Sequence, residues 1–412
     1  MADCNGEGLL VAGLGVVSAI GCGQQAFLEA LLEGRHAFSM MRRPGRQLDS
    51  TFIGAEIDLG ESPEADHQAG SRAMSFSSRV ALMTLAESWR DADLDQIDPA
   101  RIGLVIGGSN FQQRAIERAH APCAATPYFI KPSYAMQFMD TDLCGVCTER
   151  FAIRGFAYTL GAASASGQMA VIQAAQAVRA GDVDVCIALG PVMDLSYWEC
   201  HGFRSLGAMG SDRFADSPAL ACRPFDRDRD GFIYGESSAA VVIERESSAR
   251  QRRIAPYARI AGWSVAMDGN RNPNPSLDGE VCVIRQAMAR AGWQPRLVDY
   301  VNPHGSGSVL GDETELNALA GCGLRHAAIN ASKALIGHGL ASAGLVETVA
   351  TLLQMKVGQL HPNRNLEHPL DSQFAWVGAR AERQAIRHAL NLSYGFGGIN
   401  TALCLEHLGR GQ

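Results

Sequence analysis

Residues 157–171 read AYTLGAASASGQMAV. A short apolar run ends at Leu160, small residues surround Ser164, and an Ala- and Gln-rich segment of helical character follows. This order sets a side chain at the N-terminal end of a helix, where unpaired peptide N–H groups and the helix dipole favour negative charge. Hydrolytic enzymes present nucleophiles on such strand-to-helix turns. Here the side chain presented is a hydroxyl, and no base adjoins it in sequence.

The same alternation runs outward in both directions. LLVAGLGVVS (9–18), IGLVIGGSN (102–110), VDVCIALGPV (183–192) and AAVVIER (239–245) are short, apolar and often β-branched. Between them lie helical stretches such as GQQAFLEALLEG (23–34), VALMTLAESWRDA (80–92) and SGQMAVIQAAQAVRAG (166–181). Buried strands alternating with helices predict an α/β fold with mostly parallel central sheets. The polar run RESSARQRRIAP (245–256) is the expected joint between two halves, 1–252 and 253–412. Beyond it come YARIAGWSVAM (257–267), the helix EVCVIRQAMARAG (280–292), the strand VDYVNPHG (298–305) and a helix from Asp312, where Asp312 and Glu315 have capping-box spacing. Residues 389–406, ALNLSYGFGGINTALCLE, echo 157–171 and suggest an internal duplication.

The chain has 412 residues, 47% hydrophobic and 19% charged, enough for a large core. Its formal net charge of -7 argues against a nucleic-acid partner. Arg42, Arg43 and Arg46 form a local basic cluster, either a solvated loop or a landing site for an acidic partner. Eleven scattered cysteines fit reduced thiols in a cytoplasmic protein, and Cys144 and Cys147, a lone C-x-x-C, lack a second ligand pair. The run Leu9–Ile20 has no basic segment before it and contains Gly13 and Gly15, so it reads as a buried strand and not as a signal or membrane segment. No metal site is expected.

Several motifs fall short of their templates. DRDRDG (226–231) opens like a calcium loop, but Ser237 stands where the bidentate Glu is needed, and a charged turn is the simpler reading. GLGVVS has Ser18 in place of the third glycine of a dinucleotide fingerprint, and no phosphate loop of the G-x-x-x-x-G-K type occurs. Ser164 with His304 as base is a degenerate hydrolase elbow.

His304 in VNPHGSGS and His338 in SKALIGHG both sit at Gly-rich element ends, where loops carry function. Lys333 stands out because only three of the 36 basic residues are lysines: Lys131, Lys333 and Lys356. A compact ammonium is wanted where a planar guanidinium does not fit, and Glu347 on the next helix is its expected partner.

Taken together, GLGVVSAIG (13–21), RPFDRDRDGFIYGE (223–236), VNPHGSGS (301–308), SKALIGH (332–338) and LSYGFGGIN (392–400) resemble the β-ketoacyl synthase family, motif by motif and in order. The resemblance implies a thiolase-like fold of two duplicated α/β halves with central mixed sheets and sandwiched helices, normally a homodimer. It implies that His304, His338 and Lys333 are the family's two histidines and lysine, and that Phe396 is the aromatic gate beside the acyl pocket.

One position departs from the family. Ser164 stands where the nucleophilic cysteine belongs. A thiol is partly ionised near neutrality and more so at a helix N-terminus, whereas a serine hydroxyl keeps its proton unless a base removes it. Acyl loading should therefore be suppressed, while decarboxylation of a malonyl thioester needs only donors for the enolate oxygen. This pattern is similar to the ketosynthase-like decarboxylases of polyketide β-branching cassettes, which accompany 3-hydroxy-3-methylglutaryl synthase-like enzymes. The resemblance implies conversion of malonyl- to acetyl-acyl carrier protein, a substrate borne on the carrier's phosphopantetheine arm, no other cofactor, and partners among the other cassette enzymes. The alternatives are a noncatalytic chain-length-factor-like partner of a ketosynthase, or a condensing enzyme or acyltransferase that uses Ser164 as a slow nucleophile.

Overall fold

The computed structural model describes residues 7–60 and 74–409. Its frame is ten strands in two sets of five. The first set is β1 (Leu9–Ser18), β2 (Ile102–Gly107), β3 (Phe156–Leu160), β4 (Val185–Gly190) and β5 (Ser237–Arg245). The second is β6 (Ala258–Met267), β7 (Tyr300–Asn302), β8 (Ala328–Ile329), β9 (His388–Gly395) and β10 (Ile399–Glu406). Hydrogen bonding orders the first set β3-β2-β4-β5-β1 and the second β8-β7-β9-β10-β6. Adding five to each label of the first gives the second.

The direction of pairing repeats as well. β2 runs parallel to β3 and β4, and β5 antiparallel to β4 and β1; β7 runs parallel to β8 and β9, and β10 antiparallel to β9 and β6. The sheets are therefore mixed, not mostly parallel. The two sets meet at a short antiparallel contact, Leu10 opposite Arg259 and Val11 opposite Ala258.

Six helices repeat in the same way: α1 (Phe76–Asp91), α2 (Thr141–Phe151) and α3 (Ser166–Ala180), then α4 (Leu277–Ala291), α5 (Val309–Gly321) and α6 (Ala343–Val357). The duplication is real, but its partners differ from those the sequence suggested. Residues 157–171 form β3, a turn and α3, whose counterpart is β8, a turn and α6. Residues 389–406 are instead an antiparallel hairpin, β9–β10. The two segments share Gly/Ser-rich turn chemistry without sharing topology.

β1 is buried along its whole length, as a strand packed on both faces must be. α6 is buried from Ala343 to Met355 and packs on α3, β5 and β9. A helix apolar all round belongs inside a protein or a membrane. Leu340–Val357 is long and apolar enough to span a bilayer, but 89% of that stretch is buried within the protein, so the core accounts for its composition.

Two sequence readings change here. Asp312 is not a cap: Ser308 caps α5 by accepting from Gly311 N, and Asp312 and Glu315 turn buried carboxylates toward neighbouring loops. Their spacing of three places both on one helix face, which a capping box also requires, and sequence alone does not separate the two. Arg43 and Arg46 are not a surface patch. Arg46 is fully buried against Glu56, Asp194 and Glu236, and Arg43 pairs with Glu236. The polar run after β5 is a helix, Glu246–Arg252, whose Arg252 binds Glu244 and the Ala92 carbonyl.

DRDRDG forms a turn whose Asp226 carboxylate accepts from Asp228 N, His368 N and Arg223, so protein donors fill it. Cys144 and Cys147 lie on the inner face of α2, and burial pushes the Cys144 thiol up to about 11. Among the described residues no group of three or more His, Cys, Asp or Glu side chains is arranged to hold a metal.

Gly107 ends β2 against the start of α3. A Cβ there would lie 2.3 Å from the Ser166 carbonyl oxygen and 2.7 Å from its carbon, both rigid backbone. Gly107→Ala should therefore displace the N-terminus of α3, at a cost of about 1–3 kcal/mol. A melting temperature equal to that of the parent protein would contradict this packing.

Candidate active site

The turn between β3 and α3 holds Ser164. Ala163 adopts φ 47°, a left-handed conformation that strains any residue bearing a Cβ and recurs at functional turns. Three contacts fix the turn. Ser166 Oγ accepts from Ala162 N at 2.8 Å and donates to the Ala163 carbonyl at 2.7 Å, while Ser393 Oγ donates to the Ser164 carbonyl at 3.1 Å. Gly395 allows the β9–β10 hairpin to approach, since a Cβ there would sit 2.4 Å from the Ala162 carbonyl oxygen.

His338 comes from the topologically equivalent turn of the second half, between β8 and α6. Its Nε2 lies 3.1 Å from Ser164 Oγ, and its Nδ1 accepts the Leu340 N–H at 3.2 Å. Leu340 takes φ 54° in this turn. Burial, then the charge on Lys333, holds His338 well below the usual imidazole range, so the ring is neutral. A neutral imidazole carries one N–H, and with Nδ1 accepting, that hydrogen is on Nε2. His338 therefore donates to Ser164 Oγ and has no vacant lone pair with which to deprotonate it.

His304 follows β7. Its ring centroid lies 5.5 Å from that of His338 at an interplanar angle of 80°. Nδ1 is buried without a hydrogen-bond partner among the described residues, which leaves Nε2 as the nitrogen on the cavity side. Burial first, then Lys333 and His338, keeps this ring neutral too. Glu315 fixes the His304 loop by accepting from His304 N at 2.6 Å and Gly305 N at 2.8 Å. Asp312 does the same for Phe225 N (2.6 Å) and Gly307 N (3.1 Å).

Lys333 and Glu347 are both 1% exposed and form an ion pair, and Lys333 Nζ also donates to the His304 carbonyl. Burial pushes the Glu347 carboxyl up to about 7 against the pull of Lys333. Neither residue lines the cavity. Their influence passes through the backbone of His304 and through the ammonium charge.

The cavity, about 170 Å³ and open on one side, has Ser164, His304, His338 and Phe396 in its wall. Phe396 occupies the β9–β10 turn, is 43% exposed, and has its ring centroid 6.5 Å from that of Phe203. The fold thus brings together Ser164 and both histidines, sets Phe396 on the same wall, and holds Lys333 with Glu347 behind His304. Sequence reasoning missed the Leu340 N–H, the Ser166 and Ser393 clamps and two further wall residues, Glu280 and Tyr394. The first is a backbone group. Glu280 reads in sequence as an ordinary acid in the first turn of a helix.

A doubled α/β frame with two neutral histidines facing a helix N-terminus defines the class. Residues 7–249 match the N-terminal domain of β-ketoacyl synthases and residues 257–367 the C-terminal domain, so the chain belongs to the β-ketoacyl synthase family. It is 55% identical, over 99% of its length and 98% of the relative's, to the polyketide biosynthesis malonyl-ACP decarboxylase PksF of Bacillus subtilis strain 168. It is 29% identical to 3-oxoacyl-[acyl-carrier-protein] synthase 1 of Escherichia coli strain K12, over 97% of this chain and 98% of that one. In three dimensions it resembles a β-ketoacyl synthase from Burkholderia phymatum STM815, with a TM-score of 0.88 and 25% identity, covering 98% of this chain and all of the other.

Removing one partner of a buried ion pair strands the other. Lys333→Met should lower the unfolding free energy by about 3–5 kcal/mol in urea, and Lys333→Met/Glu347→Leu by less. Equal losses in the single and double variants would show that the pair is not what holds this region.

Proposed function

We propose that this chain decarboxylates malonyl-acyl carrier protein to acetyl-acyl carrier protein and forms no acyl-enzyme. The observation that carries this reading is the Leu340 N–H on His338 Nδ1, 3.2 Å away. It makes His338 Nε2 a donor, so His338 is no base for Ser164 and offers the thioester oxygen a hydrogen bond. The 55% identity to a malonyl-ACP decarboxylase supports the same reading.

The phosphopantetheine arm brings the malonyl thioester into the cavity, past Phe396. Its carbonyl oxygen takes the position between His304 Nε2 and His338 Nε2 that Ser164 Oγ borders. The bond from C2 to the carboxylate breaks, carbon dioxide leaves, and the electron pair becomes the enolate. Charge grows on the oxygen facing two N–H donors that are already in place and need no reorganisation as the bond breaks. Lys333 positions His304 and disfavours protonation of both rings. Ser164 keeps its proton, so no acyl group is captured and none waits to be attacked.

The acetyl-carrier product is the two-carbon donor that a 3-hydroxy-3-methylglutaryl synthase-like enzyme of a β-branching cassette consumes. A homodimer fits the surface: Tyr128, Phe129, Met136, Phe138 and Met139 are exposed, and β3 ends the sheet with Tyr158 40% exposed. Exposed apolar side chains and a strand at the end of the sheet are what a second copy would cover.

The test is to incubate pure protein with malonyl-acyl carrier protein and weigh the carrier intact. Acetyl-carrier should appear with no adduct on the enzyme. His304→Ala and His338→Ala should each slow this by about a hundred- to a thousandfold, the cost of losing one oxyanion donor. Near-parental turnover in either would sink the enolate site.

Ser164→Ala should keep most of the activity, since the hydroxyl only accepts from His338, and Ser164→Cys should gain self-acylation by an acyl thioester. A stable acyl adduct on Ser164 in the parent, together with an inactive Ser164→Ala, would restore the nucleophilic reading.

A further inference from the structure

The decarboxylation just described leaves a carbanion equivalent that needs a proton, and none of the residues so far assigned supplies one. His304 and His338 are committed to the oxygen, and Ser164 is a poor acid.

Four carboxyl groups stand in the cavity wall: Asp268, Glu280, Asp312 and Glu315. Three are engaged. Asp268 Oδ1 accepts from Asn400 Nδ2 at 2.7 Å, and Asp312 and Glu315 each accept two backbone N–H groups of the loops they anchor. Glu280 differs. It is 1% exposed, and its Oε2 is buried without a hydrogen-bond partner among the described residues. A buried polar atom left unpaired costs stability and calls for an explanation.

A second orphan lines the same wall. Tyr394 Oη is buried and has no hydrogen-bond partner among the described residues, and the Tyr394 ring centroid lies 5.6 Å from that of His304.

Local structure puts Glu280 there on purpose. It sits in the first turn of α4, which Ser276 caps by accepting from Gly279 N at 3.2 Å. A Cβ on Gly279 would lie 1.9 Å from Asp268 Oδ1 and 2.7 Å from Asn400 Nδ2, so glycine lets this turn close on the Asp268–Asn400 pair without moving either side chain. That approach carries the next side chain into the cavity.

We propose that the Glu280 carboxyl, assisted by the Tyr394 hydroxyl, delivers the proton that converts the enolate into the acetyl thioester. This rests on the decarboxylase reading. Carbon dioxide leaves as the C2–carboxylate bond breaks. A C2–H bond then forms as the Glu280 O–H bond breaks, and the oxygen charge returns to the thioester carbonyl. The carboxylate left on Glu280 recovers its proton from water, so each turnover consumes one solvent proton.

The surroundings keep Glu280 supplied with that proton. Burial, then the carboxyls of Glu315, Asp268 and Asp312, raises its pKa well above the usual carboxylate range. Burial and the neighbouring Glu280 likewise keep Tyr394 a phenol. A neutral acid also admits the malonyl carboxylate, which an ionised one would repel.

The experiment follows malonyl-acyl carrier protein by intact mass in buffer containing carbon-13 bicarbonate, with parent protein, Glu280→Gln and Tyr394→Phe. Acetyl-carrier from the parent establishes the reaction itself, and an inert parent overturns both readings. Glu280→Gln keeps the shape without the acidic proton. Its turnover should fall by about a hundred- to ten-thousandfold, the range for a lost general acid.

The enolate should then live long enough to recapture carbon dioxide, so label should enter the remaining malonyl-carrier faster relative to turnover than in the parent. Tyr394→Phe should shift both readouts the same way by less. Glu280→Asp, which withdraws the acid by one carbon, should show the same rise in labelling should Glu280→Gln fail to fold. Parental turnover in Glu280→Gln, or lost turnover with no rise in labelling, would assign Glu280 a structural role and overturn the proposal.

Discussion

One buried ammonium organises the site. Lys333 Nζ binds the Glu347 carboxylate and the His304 carbonyl, joining the turn before α6, α6 itself and the loop after β7. Taking a Lys–Glu pair out of water is expensive, and hydrophobic residues of the same volume often fold as well or better. The return here lies in the charge and in what it touches. It fixes the backbone of His304, and it lowers the tendency of both imidazoles to take up a proton. An arginine could not do both, because its fork is too broad for a slot shared by one carboxylate oxygen and one carbonyl.

Given neutral rings, a single backbone N–H decides the direction of the hydrogen bond between His338 and Ser164. With Leu340 N–H on Nδ1, His338 shows a donor to Ser164. A cysteine in that position would still ionise in part, because a thiol needs only the local field. A serine would need a proton acceptor, and the tautomer denies it one. The same arrangement suits an enolate oxygen, which needs donors and no base. In the proposed function, oxygen in place of sulfur at position 164 separates the decarboxylation half of ketosynthase chemistry from acyl transfer without any change in the frame.

The duplicated topology explains why the groups converge. Ser164 and His338 lie on equivalent turns of the two halves, each between the third strand and the third helix of its set. Both turns use a left-handed residue, Ala163 in one and Leu340 in the other. α3 and α6 pack closely through Gly167, where a Cβ would lie 2.9 Å from the Ala341 carbonyl oxygen and from Leu345. Two turns that start from packed helices are thereby held within hydrogen-bond reach of each other.

Much of this was legible in the sequence. The strand–turn–helix at 157–171, the alternation on both sides, and the surroundings of His304, His338 and Lys333 followed from local periodicity and composition, which depend on neighbours a few residues apart. The Lys333–Glu347 pair was legible too, since one lysine among many arginines needs a reason. What sequence did not determine were relations between distant segments. Asp312 and Glu315 looked like a cap because a helix face has the same spacing whatever it faces. Arg43 and Arg46 looked like surface because their partners, Glu56, Asp194 and Glu236, lie up to 193 positions away. Glu280 looked like any first-turn acid until the fold set it, with Oε2 unpaired among the described residues, in the cavity wall that Tyr394 and His304 also line. Burial and hydrogen-bond satisfaction belong to the assembled chain, and they separate a solvated charge from an acid buried in a cavity wall.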